Sequence, residues 1–279
     1  LDTPPPAVGV APALLDADTT GNPNLYILTI GVSALKNPTP EYHNLKYATA
    51  DAIAVRQALE TQKGVVFDDV KIWELLDEAA TLEGIRAALN ELDEVVRARG
   101  PRTSPDGTPI RDVTVIFLAG HGVQTSDGKF FFWNHDFDLA NRDATGLSFL
   151  ELGDRVTAFP TELFILIDAC HSALAGAAAL SGLRPDELFK RLSALNERAQ
   201  TIFNATQKGE LAMEDASLGH GLFTKGILKT LATAAPGVDV SVLLLMDTTM
   251  KKVLEWSANK QKPSYRVYGD ESRWIVYRR

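Results

Sequence analysis

Two short segments hold residue types that together could perform nucleophilic chemistry. Residues 118–122 read Leu-Ala-Gly-His-Gly and residues 167–172 read Ile-Asp-Ala-Cys-His-Ser, and Cys170 is the only cysteine among 279 residues. A thiol with an ordinary pKa of about 8.5 is barely ionised at neutral pH, so a cysteine nucleophile needs an imidazole to take its proton. His121 would be that base, and later the acid that protonates a leaving amine. Gly120 and Gly122 permit tight turns and close approach of a substrate backbone, and the Gly122 and Cys170 amides together would make an oxyanion hole. His171 is the rival base, but adjacent side chains on an extended segment point to opposite faces, which favours His121. No third catalytic residue stands out. Taken singly, such a cysteine is usually a small buried hydrophobe and such a histidine a satisfied core or loop residue. Their shared placement after apolar runs is what argues for chemistry.

Those runs are the elements that must position the pair. Residues 113–119 (VTVIFLA) and 162–168 (ELFILID) are almost wholly apolar, as is 25–32 (LYILTIGV), the mark of strands buried on both faces. Residues 70–76 and 199–206 read as further strands. Helical spacing appears over 47–62, where Ala50, Ile53, Ala54 and Ala58 share a side, and over 81–99, with Thr81 as N-cap and Gly100-Pro101 as a stop. Residues 147–157, 221–234 and 240–259 read as three more helices, 102–111 as a polar turn, 130–133 as a short hairpin arm and 265–267 as a strand-like tail. The Ala- and Gly-rich stretch 173–179 reads equally as a helix start or a loop. Alternating strands and helices predict an α/β fold with a mostly parallel sheet covered on both faces, in which sites form at the carboxyl ends of the strands. If the His121 and Cys170 strands are neighbours, imidazole and thiol meet at one edge.

Composition narrows the partners. The 28 basic and 36 acidic side chains leave a formal charge of −8, with 45% hydrophobic residues. That balance is globular, disfavours nonspecific nucleic-acid binding, and suits a cationic partner. One cysteine rules out an intramolecular disulfide or a CxxC metal site. No apolar run reaches the roughly 18–20 residues of a membrane span, and no basic-then-apolar signal opens the chain. A cytoplasmic protein without membrane contact is therefore expected. Residues 1–23, carrying Pro4, Pro5, Pro6, Pro12 and Pro23, read as a leader or linker, and 24–279 as one folded domain. The leader and the opening Leu1 suggest a module of a larger protein.

On its motifs the chain resembles the caspase-like cysteine peptidases. VTVIFLAGHG (113–122) and ELFILIDACHS (162–172) are similar to that family's histidine and cysteine strands. The DACHS context is closer to the metacaspase and bacterial orthocaspase branch than to animal caspases, whose cysteine follows Gln-Ala. LYILTIGVSAL with Leu45-Lys46-Tyr47 and Asp51-Ala52 resembles the first strand and helix, and Ala205-Thr206-Gln207 followed by Gly219-His220-Gly221-Leu222-Phe223-Thr224 resembles the later ones. Ala173 departs from the pattern, which often has glycine there.

The resemblance implies a caspase-like three-layer α/β fold with a central sheet of about six strands. It also implies a cysteine endopeptidase in which Cys170 is the nucleophile, His121 the base and Gly122 an oxyanion donor. Asp168, two residues before Cys170, shares a strand face with it. It matches an acid that lines the family's pocket for the arginine or lysine preceding the scissile bond. Asp51 matches a second pocket acid, and Glu214 or Asp215, in the loop after Gln207, would be a third. An arginine would pair with them bidentately and a lysine as a point charge. The plainer roles are a loop-bonded carboxylate for Asp168, an N-terminal helix charge for Asp51, and solvated loop acids for Glu214 and Asp215.

Some metacaspases need calcium. Asp136, Asp138 and Asp143 are the nearest candidates here, but their spacing is not that of a regular cation loop, so no cofactor and no obligatory metal are expected. Lys190 and Arg191 are candidate self-processing sites, and Arg184 is disfavoured by the following Pro185. The family further implies a protein or peptide substrate and a signalling, defence or cell-death setting with an upstream sensor or repeat domain. The alternatives are a CHAT- or gingipain-like peptidase of other specificity and a noncatalytic caspase-homologous interaction domain, against which the intact His121 and Cys170 speak.

Overall fold

The computed structural model describes residues 21–125, 129–169, 172–173, 199–206, 212–215, 219–268 and 274–279, with the backbone alone at 172–173 and 215. Six strands make its central sheet: Leu25–Gly31 (β1), Val70–Leu76 (β2), Val113–Gly120 (β3), Glu162–Ala169 (β4), Gln200–Asn204 (β5) and Ser264–Tyr268 (β6). They lie in the order β6-β5-β4-β3-β1-β2. Every neighbouring pair is parallel except β5 with β6, so five carboxyl ends share one edge.

Period-2 alternation along these strands divides the core in two. Leu28, Ile30, Ile116, Leu118 and Ile165 face helices Leu82–Arg99 (α2) and Phe149–Val156 (α3). Ile27, Val115, Phe117, Phe164 and Leu166 face Ala48–Glu60 (α1), Leu222–Thr233 (α4) and Val242–Trp256 (α5). Both faces are covered, which is why β1, β3 and β4 are apolar at nearly every position and, like β5, buried throughout. Each such Leu, Ile or Phe contributes about 1.5–3 kcal/mol by leaving water. The edge strand β2 is only partly buried, and Lys71 and Glu74 interrupt it.

Local signals set the helix positions. In α2, Ile85, Leu89, Leu92 and Val96 repeat at helical spacing on the buried face. Thr81 Oγ1 accepts from the Gly84 amide at 3.0 Å and Asp136 Oδ1 from the Leu82 amide at 2.9 Å, so two of the helix's orphan donors are satisfied. Helix α1 has no side-chain cap but packs hard against the end of β1. A Cβ at Gly31 would lie 2.6 Å from the Ala48 carbonyl oxygen and 2.8 Å from Ala52 Cβ. That glycine lets α1 approach and brings Asp51 to the carboxyl edge.

Four expectations need correction. Residues 102–111 contain a small hairpin, Arg102–Thr103 against Pro109–Ile110. The stretch 147–157 begins as a strand, Leu147–Ser148, before α3 starts at Phe149. The stretch 240–259 likewise opens in Asp239–Ser241, paired with Ile275–Arg278, before α5. Glu214 and Asp215 lie not in an open loop but in a two-residue strand paired with His220–Gly221, so that α4 begins one residue later than 221. Strands of two or three residues are too short to show a periodicity, so only their pairing reveals them. Beside the main sheet, Gly122–Gln124, Phe130–Phe132, Leu147–Ser148 and Ser172–Ala173 make a second, four-stranded one. Residues 1–20 of the leader and 174–179 lie outside the described residues. No described helix is long and apolar enough to cross a membrane.

Candidate active site

Strands β3 and β4 are direct neighbours, and their register pairs Ala119 with Asp168 and Gly120 with Ala169. These are the last residues before His121 and Cys170. Cys170 and His171 lie outside the described residues, as do Lys190 and Arg191, so the site is built from the histidine side.

His121 is buried, at 8% exposure, in an aromatic surround of Tyr42, Trp133 and His43. Tyr42 meets its ring edge-on with centroids 5.5 Å apart, and Trp133 packs behind Tyr42 at 4.3 Å. Its Nε2 lies 2.7 Å from the main-chain oxygen of His43. A carbonyl only accepts, so Nε2 carries the hydrogen and Nδ1 is left with the lone pair. The third member that the sequence did not offer is thus a backbone carbonyl, invisible to a search for side chains. Burial pushes the imidazole below its ordinary pKa, against the opposing pull of the His43 carbonyl, so it is neutral and basic near pH 7. Gly122 opens the short strand that pairs with Phe130–Phe132, directly after the histidine.

The acidic residues converge on the other side of the sheet edge. Asp168, on the α1 and α4 face of β4, is 8% exposed, and its Oδ2 accepts from the Thr224 hydroxyl at 2.6 Å and the Thr224 amide at 3.3 Å. Its Oδ1 has no hydrogen bond among the described residues. Asp51, on the inner side of α1, is 3% exposed. Its Oδ2 accepts from the Gly221 amide at 3.1 Å, and its Oδ1 lies 2.7 Å from His220 Nδ1. Gly221 is the wedge between the two acids. A Cβ there would sit 3.1 Å from Asp168 Oδ2 and 3.2 Å from Asp51 Oδ2, so only glycine leaves both oxygens in place.

Glu214 is the exposed third acid. Its Oε1 accepts from the Lys46 and Tyr47 amides at 3.3 and 3.2 Å, tying the lead-in of α1 to the short strand before α4. Its charge is felt at Asp51, Asp168 and His121 alike. The Asp215 side chain lies outside the described residues. No lysine or arginine among the described residues pairs with Asp51 or Asp168.

Burying like charges together has a predictable result. Burial first, and the Asp168 charge second, push Asp51 up to about 9, and burial raises Asp168 to about 6 against the Thr224 hydrogen bonds. Burial also lowers His220, with Lys225 adding to the effect. A simple Asp–His ion pair would shift both partners the other way. Burial outweighs the pairing, with the Asp168 charge adding to it at Asp51, so the Asp51–His220 contact holds one proton within a neutral pair.

The candidate calcium ligands are occupied elsewhere. Asp136 caps α2 and accepts from Asn134, Asp138 accepts from Ala140 and Asn141, and Asp143 pairs with Lys129 at 3.0 Å. No group of three metal-ligating side chains forms among the described residues. Sequence reasoning missed His43, His220 and Thr224. The Gly-His-Gly-Leu-Phe-Thr run at 219–224 was the available signal for the last two.

Comparison with known proteins fits this geometry. A solved structure, that of protein GSU0716 from Geobacter sulfurreducens, superimposes with a TM-score of 0.61 at 16% identity, covering 92% of this chain and 98% of that one. At that identity the likeness speaks for the fold alone. No curated protein sequence matches the chain. The peptidase C14 family model, described as the caspase domain, matches residues 27–268. With its six-stranded sheet, strand-end histidine and neighbouring cysteine strand, this chain belongs to the caspase-domain family of cysteine peptidases.

Proposed function

We propose that this chain is a cysteine endopeptidase that cleaves after arginine or lysine through a Cys170–His121 dyad. The observation that carries the specificity is the pair of buried carboxylates, Asp51 and Asp168, held against each other without a lysine or arginine partner among the described residues. Two anions cost several kcal/mol to bury in this way and persist only where a cation arrives to compensate them. A substrate guanidinium or ammonium is that cation, with Asp168 Oδ1, which has no hydrogen bond among the described residues, as an acceptor. An aspartate in the same place would add a like charge.

In the chemistry, His121 Nδ1 takes the Cys170 thiol proton and the thiolate attacks the scissile carbonyl, whose oxygen is met by the Gly122 and Cys170 amides. The proton passes from Nδ1 to the departing amine as the C–N bond breaks, leaving a thioester. Water, deprotonated by the same nitrogen, then releases the carboxylic acid and restores the thiol. The His43 carbonyl keeps the ring in the tautomer this requires and stabilises the imidazolium as it forms. The metacaspase-type context, the larger-protein setting and activity without a metal belong to this reading.

A fluorogenic peptide panel that varies the residue before the scissile bond, run with and without calcium, tests it. Arginine and lysine substrates should be turned over, aspartate and norleucine substrates should not, and Cys170→Ala should be inert. Preference for aspartate would sink the pocket assignment.

A further inference from the structure

The residue that the dyad and the acid pair leave unexplained is His220. It stands on the two-residue strand His220–Gly221 between Glu214–Asp215 and α4, with its Nδ1 on Asp51 Oδ1 at 2.7 Å and its side chain 20% exposed. Among the described residues, every charged group packed around it belongs to the pocket or its rim. Asp51 faces it from α1 and Asp168 lies across Gly221 on β4. Glu214 and Asp215 form the opposing strand, and Lys225 sits in the first turn of α4.

With the pocket empty, two deep carboxylates and one imidazole share that space. The neutral Asp51–His220 pair is the only compensation the described residues supply. A substrate cation brings its own positive charge, and the two cannot both be accommodated without one leaving. We propose that His220 is a specificity-determining residue of the basic-side-chain pocket: the His220–Asp51 pair holds one proton while the pocket is empty and releases it when a guanidinium or ammonium enters. In this step the pair's N–H or O–H bond breaks, the proton leaves to solvent by the exposed edge of the imidazole, and the incoming cation takes over the negative charge. No electron is transferred. Affinity for a basic side chain, rather than turnover, therefore rises with pH.

This inference rests on the basic specificity proposed above, and the test separates the two. KM and kcat of the full chain are measured from pH 5.5 to 8.5 with peptides ending in arginine and in citrulline, which has the same shape without the charge. Proton release is counted by calorimetric titration of a peptidyl-arginine amide into the Cys170→Ala chain in two buffers of different ionisation enthalpy. The expected result is one proton released, and a KM for arginine that improves by about tenfold per pH unit relative to citrulline, the limit for one linked proton. His220→Gln, whose amide donates to Asp51 and so favours its carboxylate over its acid, should flatten that slope and improve the arginine KM at pH 6 by about threefold or more.

A clear arginine preference that does not vary with pH, with no proton released, overturns the role of the pair and leaves the basic specificity standing. Absence of any arginine preference overturns both. A His220→Gln chain with the parent's slope and proton count removes His220 from the device. The parent's own proton count needs no variant, so it decides the matter even if His220→Gln fails to fold.

Discussion

At the amino ends of β3 and β4, two acids face arginines. Asp112 Oδ1 bonds Arg102 at 2.5 Å and the Asn24 amide at 2.8 Å, its Oδ2 accepts from Tyr26 at 3.3 Å, and Glu162 lies 3.4 Å from Arg111 and accepts the Ala199 amide at 2.5 Å. At the carboxyl ends of the same sheet, Asp51 and Asp168 face each other and a histidine. Burial is similar at the two edges, with Asp112 and Glu162 at 9% and 4% exposure and Asp51 and Asp168 at 3% and 8%. What differs is the partner. Paired acids hold the strand entrances and the 102–110 hairpin together, so their pairing is structural. Acids set beside acids, with no lysine or arginine paired to them among the described residues, lower the stability of the fold, and on the proposed reading a substrate cation compensates them. Burial alone distinguishes nothing, and the sign of the neighbour distinguishes structure from function.

Four experiments sharpen or break that contrast. The largest effect is expected at the dyad. His121→Ala should lower kcat by about 10²–10⁴-fold with little change in melting temperature, since the aromatic surround remains. A fall of less than tenfold would remove His121 as the base. The acid limb of the parent's kcat/KM for the citrulline peptide, which carries no linked charge, should lie below pH 6.5, because burial lowers this imidazole and the neutral form is the working one.

Next come the acids at the two edges. Asp168→Asn should reduce kcat/KM for arginine substrates by about 30-fold or more, the usual cost of removing one partner of a buried charge contact being about 2–5 kcal/mol. The melting temperature should rise. Asp112→Asn should do the reverse, leaving kcat/KM of the folded chain unchanged while destabilising it by about 3 kcal/mol, because the buried Arg102 charge would lose the carboxylate it faces. If both variants changed activity and stability alike, the distinction between the two edges would fail.

A smaller effect attaches to Asp51. Its folded pKa, about 9, lies above its unfolded value, so its contribution to stability is full below the unfolded pKa of about 3.9 and is lost as pH rises through about 9. Asp51→Asn should remove that loss and raise the melting temperature by a few degrees at pH 8 and by less at pH 5. A melting temperature that falls equally at both pH values would show the carboxyl group to be a structural acceptor. The smallest effect is expected at the exposed pair Asp93–Arg97 on α2, where Asp93→Ala should shift melting by about 1 °C or less.

How much of this was legible follows from the range of each interaction. The runs at 25–32, 113–119 and 162–168 announced buried parallel strands, because a strand covered on both faces must be apolar at almost every position. Thr81 and Gly100-Pro101 bounded α2 for equally local reasons. The two- and three-residue strands at 147–148, 214–215 and 239–241 were not legible, since elements this short carry no periodicity and exist only through their pairing. Within the site, His121, Asp51 and Asp168 were visible as residue types at strand and helix ends. The His43 carbonyl was not, because any residue type supplies one, and His220 was not, because its meaning depends on α1 lying against it.

The sequence by itself determined the family, the strand-end histidine and cysteine, and the candidate acids, all properties of composition and order along a few residues. Only the tertiary structure decided which nitrogen of His121 faces the His43 carbonyl, that Asp51 and Asp168 meet across Gly221, and that His220 contacts Asp51. Those are distances between segments separated by 50 to 170 positions. Charge interactions of this kind depend on separation and burial, and neither is written along the chain.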